Sequence, residues 1–386
     1  MFLKLGLTSF GGPIAHVGYF RDAVVRQRQW VDDGQFGQLL TMCQFLPGPA
    51  SSQLGFSLGL VRAGWLGALA AFLAFTLPSA LLMVLCASAF PLLSGRLGMA
   101  AIHGTKLMAV AVVAHAVVGM ATKLCPDRPR QTIALLAAIG MLFASSAWAQ
   151  AVVMAAAAFA GVVFLRNDVA SPSSATIVVP YSRRNGSLLL LAFVALLIGL
   201  PLVATAEPHL ASVAEAFYRA GALVFGGGHV VLPLLEESVV APGWVQPDAF
   251  FAGYAGAQAI PGPMFAVAAY LGALLAPEGL TLIWAATALL FIFLPGFLLI
   301  AGLLPWWHVV SRAAPAHHAI AGMNAAVVGL LGAALYTPVF TSSVSTPGDM
   351  GIVFAAWSLL GLWRTPPIVV LGGCLAATVV PAWLAG

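Results

Sequence analysis

Gln44-Phe45-Leu46-Pro47-Gly48-Pro49 and, 214 positions later, Gln258-Ala259-Ile260-Pro261-Gly262-Pro263 are the stretches on which the fold turns. Each sets a Pro-Gly-Pro triplet inside an apolar run. Pro brings no N–H and frees a carbonyl one turn back, and Gly admits positive φ, so a helix reaching either triplet must break. The correspondence extends outward. Phe10-Gly11-Gly12-Pro13 returns as Phe225-Gly226-Gly227-Gly228 at an offset of 215, preceded by Lys4 and Gly6 against Arg219 and Gly221. Trp30 and Phe36 match Trp244 and Phe250 at 214, Leu77-Pro78 matches Leu294-Pro295 at 217, and Gly104 matches Gly322 at 218. One glycine match carries little in a chain with 40 Gly. An ordered series with a slowly growing offset marks an internal duplication.

Composition decides the solvent. Of 386 residues 61% are hydrophobic and 7% charged, where a soluble domain carries about 25% charged. Mean hydropathy is +1.00. This is an all-α, polytopic membrane protein whose helices are broken by Gly and Pro. Clean spans of about 20 apolar residues are expected over 65–90, 103–121, 187–206, 281–304 and 320–339. The runs 131–165 and 349–385 each read as a hairpin, the second with Arg364 at its tip. No signal-peptide cleavage pattern follows the first apolar stretch. The polar stretch 171–184 separates the halves, giving a first repeat over 1–170, a linker with a connecting membrane helix over 171–214, and a second repeat over 215–386.

Charge orients the repeats. Residues 1–186 hold 13 basic and 5 acidic side chains, while residues 187–386 hold 3 basic and 7 acidic. One equivalent loop carries Arg21, Arg26 and Arg28 in the first copy and Glu236, Glu237 and Asp248 in the second. Lys and Arg stay on the cytoplasmic side of short loops, so the copies have inverted topology, the architecture of many secondary transporters. If the segments around both Pro-Gly-Pro triplets are re-entrant, Arg62, Lys123, Arg128, Arg130, Arg166, Arg183 and Arg184 all fall inside, and the chain makes about nine full spans.

The breaks are the candidate substrate site. In hydrocarbon an unpaired backbone group costs several kcal/mol, so irregular backbone survives only buried in protein or lining a wet cavity. Helices starting at such breaks present free N–H groups to an anion. The candidates are Ser9, Phe10, Gly11, Gly12, Pro13, Gln44, Pro47, Gly48 and Pro49, with Phe225, Gly226, Gly227, Gly228, Gln258, Pro261, Gly262 and Pro263 in the second copy. Close helix packing is the competing role of such glycines. Charge or proton-coupling candidates are Lys4, His16, Lys106, Arg219, His229 and Asn324. Against these roles stand snorkelling for Lys4, Arg219 and Lys106 and a structural hydrogen bond for His16. His229 aligns with Ile14, not with His16. Asp32-Asp33 and Glu236-Glu237 read as solvated loop charge.

The sequence holds no Walker A pattern, no G-x-S-x-G or H-E-x-x-H, and no C-x-x-C among its four Cys. ATP hydrolysis, hydrolase chemistry, a disulfide scaffold and a metal or other cofactor site are therefore not suggested, nor is nucleic acid as a partner. Membrane lipid surrounds the protein, and the chain is compatible with a homodimer.

The run Leu5-Gly6-Leu7-Thr8-Ser9-Phe10-Gly11-Gly12-Pro13-Ile14-Ala15-His16-Val17-Gly18-Tyr19-Phe20, with Gln44 to Pro49 and Phe225 to His229, resembles the chromate ion transporter family over essentially the whole chain. The resemblance implies a multi-pass protein of the bacterial inner membrane, with two oppositely oriented homologous halves, that exports chromate and confers resistance to it. Sulfate, an isosteric competitor, is linked to the same family. An oxyanion exchanger or importer acting on sulfate and a gated anion channel are the alternatives.

Overall fold

Gly and Pro set the ends of two half-helices, at Pro47-Gly48-Pro49 and Pro261-Gly262-Pro263. The computed structural model describes residues 1–9, 12–93, 95–143, 147–165, 179–205, 207–225, 231–310 and 314–384, and they are helical with short connections. The first half comprises α1 (Phe2–Thr8), α2 (Gly12–Arg21) running into a π-helical turn (Asp22–Gln27), α3 (Asp33–Phe45), α4 (Ala50–Ala89), α5 (Arg96–Leu124), α6 (Arg128–Phe143) and α7 (Ala147–Phe164). α8 (Arg183–Val203) joins the halves. The second half comprises α9 (Leu210–Leu223), α10 (Val231–Leu235) with its π-helical turn (Glu236–Val240), α11 (Pro247–Ala259), α12 (Val267–Leu275) and α13 (Thr281–Leu303). After the short α14 (Trp307–Val310) come α15 (Ala314–Ala334), prolonged by a π-helical turn (Leu335–Phe340), α16 (Pro347–Gly361) and α17 (Pro367–Leu384).

Element boundaries repeat as the motifs do. α3 and α11 start and end 214 residues apart, and α7 and α17 start and end 220 apart. Both copies carry a π-helical turn at the same place. α4 is two helices in one: Ala63 and Gly64 are non-helical, Gly64 at φ 64°, so residues 50–62 and 65–89 are separate segments. α3 and α11, of 13 residues each, are about 20 Å long at 1.5 Å per residue, well short of a hydrocarbon core of about 30 Å. They are half-helices ending at the Pro-Gly-Pro breaks. A capping box of Asp32 with Gln35 starts α3, and Pro247 at the first turn starts α11.

Six helices among the described residues are long and apolar enough to cross a membrane, including α4, α5, α8 and α17, with shorter apolar helices beside them. The expected hairpins appear as α6–α7 and α16–α17. Arg364 lies between the latter two at φ 52°, and the tip of the former, Ser145-Ser146, is outside the described residues.

The halves interlock. α15 of the second half lies against the α6–α7 hairpin of the first, and α5 of the first lies against α16 and α17 of the second. Small residues permit the approach. A Cβ on Gly322 would strike the carbonyl of Ala157, one on Gly329 the carbonyl of Ala134, and one on Gly104 would lie 2.9 Å from the carbonyl of Cys374. Gly104 and Gly322 are the repeat-related pair, so each half sets the same glycine against the last helix of the other, α17 and α7 respectively. An ion pair and a hydrogen bond add to the α5 side: Lys106 Nζ to Asp248 at 2.9 Å and His103 Nε2 with Asp349 Oδ1 at 2.7 Å.

Gly322→Leu and Gly329→Leu are expected to destabilise the protein by about 1–3 kcal/mol or more, the usual cost of overpacking. Gly119→Leu, where nothing lies within 4 Å of the added carbon, is expected to be tolerated. Thermal unfolding followed by size-exclusion of the detergent-solubilised protein separates the two outcomes.

Candidate functional site

Each Pro-Gly-Pro break is fastened to the other half. Gly48 lies at φ 124° and Gly262 at φ 101°, conformations that only glycine adopts at little cost. The Gly48 N–H donates to the carbonyl of Val224 at 2.6 Å, and the Gly262 N–H donates to the carbonyl of Ser9 at 3.1 Å. Val224 caps the C-terminus of α9 and Ser9 that of α1, so the two bonds are equivalent and exchanged between the repeats. They fix the C-terminal ends of α1 and α9 beside the opposite half's Pro-Gly-Pro break.

Depth follows from what the glycines touch. A Cβ on Gly48 would lie 3.0 Å from Cα of Gly296, and one on Gly262 would lie 2.8 Å from Oγ of Ser79. Gly296 and Ser79 follow the equivalent prolines Pro295 and Pro78, each near the middle of a long apolar helix. Gly6 of α1 reaches the same level, where its Cβ would be 2.6 Å from the carbonyl of Phe75, and Gly221 of α9 does so against the carbonyl of Ile292. Both breaks therefore sit about halfway along the spanning helices, next to the in-helix prolines Pro78 and Pro295.

Beyond the first break the chain presents Ala50-Ser51-Ser52-Gln53, the opening turn of α4. Ser51 and Ser52 are buried and Gln53 is fully so. The Gln53 amide donates from Nε2 to the carbonyls of Pro47 at 2.9 Å and Gly296 at 3.0 Å, bracing the break against α13. The hydroxyl of Ser52 is buried without a partner, and the first amides of a helix have no acceptor within it. The repeat-related positions are Met264-Phe265-Ala266-Val267, all apolar and buried. Sequence reasoning missed Ser51, Ser52 and Gln53. The contrast between Ser-Ser-Gln and Phe-Ala-Val behind matched triplets was the signal available.

The other candidates separate. Pro47 and Pro49 are buried, Pro263 is buried, and Pro261 is half-buried. Ser9 is buried, and its carbonyl also accepts from Nε2 of His16 at 3.1 Å. His16 is buried edge-on to Phe75 with its Nδ1 unpartnered. Gln44 is exposed, whereas Gln258 is half-buried and bonded to Sδ of Met264. Lys4 is exposed on α1. Arg219 is paired with Glu215 at 2.7 Å, one turn away on α9, and Lys106 with Asp248. Asn324, at the position equivalent to Lys106, has a buried Oδ1 without a partner. Phe225 is half-buried. Phe10, Gly11, Gly226, Gly227, Gly228 and His229 lie outside the described residues. Gly12 and Pro13 begin α2, which is all that is described of them. Among the described residues, then, the breaks are lined by backbone amides and hydroxyls, and the cations proposed for the site have carboxylate partners or face outward.

Comparison with known proteins bears on what the arrangement serves. The chain is 30% identical over 360 residues to a probable chromate transport protein of Synechococcus elongatus, covering 86% of this chain and 82% of that one. It is 28% identical over 400 residues to a chromate transport protein of Pseudomonas aeruginosa (99% and 90% covered). A chromate transport protein of Cupriavidus metallidurans is 26% identical over 383 residues (98% and 91% covered). No solved structure matches the chain. The sequence model of the family described as chromate transporter matches residues 1–162 and 211–379, both repeats with the connecting segment left out. With both halves matched, this multi-pass membrane chain belongs to the chromate transporter family.

Proposed function

We propose that the protein is a secondary transporter that exports chromate across the bacterial inner membrane by alternating access, with the two Pro-Gly-Pro breaks and the adjoining Phe-Gly-Gly segments forming the binding site. The observation that carries this reading is the exchanged pair of bonds, Gly48 to Val224 and Gly262 to Ser9. Each ties the broken backbone of one half to the other, halfway along the spanning helices. A rocking motion of one half against the other would open this junction first to one face and then to the other. The relatives' function as chromate transport proteins supports the choice of anion.

Chromate is a tetrahedral oxyanion, largely doubly charged near neutral pH. Its oxygens accept hydrogen bonds only, so a site for it must supply donors. The free amides opening α4, the Ser51 and Ser52 hydroxyls and the positive end of that helix dipole are of the required kind. A donor set that includes no lysine or arginine among the described residues holds a dianion without trapping it, which suits release. Direction follows from the potential. An inside-negative membrane favours outward movement of an anion by about 2.3 kcal/mol per charge per 100 mV, so export of a dianion needs no second driving ion.

In proteoliposomes, chromate efflux is expected to saturate and to show counterflow against external chromate, with sulfate competing for the same site. Unsaturable flux without counterflow would favour the channel reading and defeat this one. Gly48→Ala and Gly262→Ala each place a side chain at a positive φ, which costs about 1–2 kcal/mol. They are expected to lower flux at least tenfold in protein that still elutes as a folded species. The Ser51→Ala, Ser52→Ala double variant is expected to raise the chromate KM severalfold with little loss of stability. Unchanged kinetics in all three would remove the breaks from the transport path.

A further inference from the structure

The half-helix α11 is held at both ends by the other half of the molecule. Past its C-terminal end the Gly262 N–H donates to the carbonyl of Ser9 at 3.1 Å. At its start Asp248, in the first turn, accepts from Nζ of Lys106 on α5 at 2.9 Å. The Lys106 side chain is 14% exposed and that of Asp248 42%, so a mostly buried ammonium is matched by a carboxylate that stands partly in water. α11 also belongs to its own half, because the Tyr270 hydroxyl of α12 donates to the carbonyl of Ala249 at 2.9 Å. The helix that leads into the Pro261-Gly262-Pro263 break is thus shared between α12 on one side and α5 on the other.

The internal repeat supplies the comparison. At offsets of 218 and 214, Lys106 and Asp248 correspond to Asn324 and Gly34, which cannot form an ion pair. The start of α3 is instead held within its own half, by Asp33 with Arg21 of α2 at 2.8 Å. Both half-helices are tied across the halves at their breaks, but the charged tie at the start belongs to α11. The architecture is therefore built once without it and does not demand it. By the charge asymmetry of the loops, the start of α11 lies toward the outer face and that of α3 toward the cytoplasm.

We propose that Lys106 is a positioning residue for transport: its pair with Asp248 holds α11, and with it the second break, against α5 and keeps the outer face closed, and parting of the pair opens the site outward. The inference rests on the alternating-access reading. An ion pair partly in water is worth little net, because solvation replaces much of what is lost when it parts. That suits a contact made and broken in every cycle. A mostly buried ammonium left without its carboxylate is penalised, which draws the pair closed again. The anion is not required to touch Lys106; the lysine acts through the half-helix that carries the break.

The test is radiolabelled chromate flux in proteoliposomes of one orientation, with KM measured separately for chromate on the cytoplasmic and outer sides. Apparent affinity falls on the side whose competent state is depleted. Lys106→Gln and Asp248→Asn are therefore each expected to raise the cytoplasmic-side KM about threefold or more and to lower the outer-side KM. Lys106→Arg, and the exchanged pair Lys106→Asp with Asp248→Lys, are expected to return both toward the wild-type values. A general loss of fold lowers flux without moving the two KM values in opposite directions. In a Lys106→Cys, Asp248→Cys double variant, a short bifunctional methanethiosulfonate reagent is expected to cut flux at least tenfold, and a reducing agent to restore it. Wild-type protein treated alike sets the baseline, since Cys86 is exposed. The cross-link also serves where a neutral variant does not fold. KM shifts of the same sign on both sides, or full flux through the cross-linked protein, overturn the proposal and leave the transport reading standing. Absence of saturable chromate flux in the wild type would defeat that reading itself.

Discussion

An interrupted helix inside a bilayer must find partners for its loose amides and carbonyls, because no water is there to take them. This constraint organises the protein. The Pro-Gly-Pro breaks cannot be stabilised within their own segments, since α3 and α11 end there and the next helices have yet to begin. Their glycine amides are taken by the carbonyls of Val224 and Ser9 in the opposite half, and Gln53 bridges the first break to α13. The helices that receive these contacts carry Pro78 and Pro295 at the same level, where a carbonyl has also lost its usual donor. Neither half satisfies its own backbone. The hairpin exchange, with α5 held by α16–α17 and α15 by α6–α7, makes the same point for packing.

Much of this could be read from the chain. The motif offsets located the duplication, and the structure returns them as element boundaries, most plainly for α3 with α11 and α7 with α17. The half-helices follow from Pro and Gly alone, because backbone chemistry is local. Partnership is not local, and there the reading fell short. Lys106 looks like a candidate anion ligand until Asp248, 142 residues away, is seen 2.9 Å from it. Arg219 had its partner in plain view, since Glu215 lies one helical turn before it and such pairs meet on a helix surface. Gln44 and Gln258 match in sequence, yet one is exposed and the other half-buried, because the two copies meet different neighbours. Ser51, Ser52 and Gln53 are not marked by the repeat, because their counterparts Phe265, Ala266 and Val267 are apolar.

What the repeats do not share is where specific chemistry has been added. On the alternating-access reading proposed above, a duplicated scaffold with exchanged contacts would offer two arrangements of similar energy to be visited in turn. Differences in ligation, not in the scaffold, then decide which arrangement is populated. The polar turn Ser51-Ser52-Gln53 occurs once, against Met264-Phe265-Ala266-Val267 in the other copy. The acidic pair Glu236-Glu237 also occurs once, against Asp22-Ala23.

A ligand with equal affinity for both arrangements shifts nothing, however tightly it binds. On the proposed reading a donor-lined break on one half would hold an anion differently in the two states, because a rocking motion would carry one half past the other while the Ser51 and Ser52 hydroxyls stay with theirs. Exact symmetry would make inward and outward states equivalent apart from the membrane potential. On that reading the unmatched residues are the ones able to give transport a direction, and the matched ones are those that would make the motion cheap.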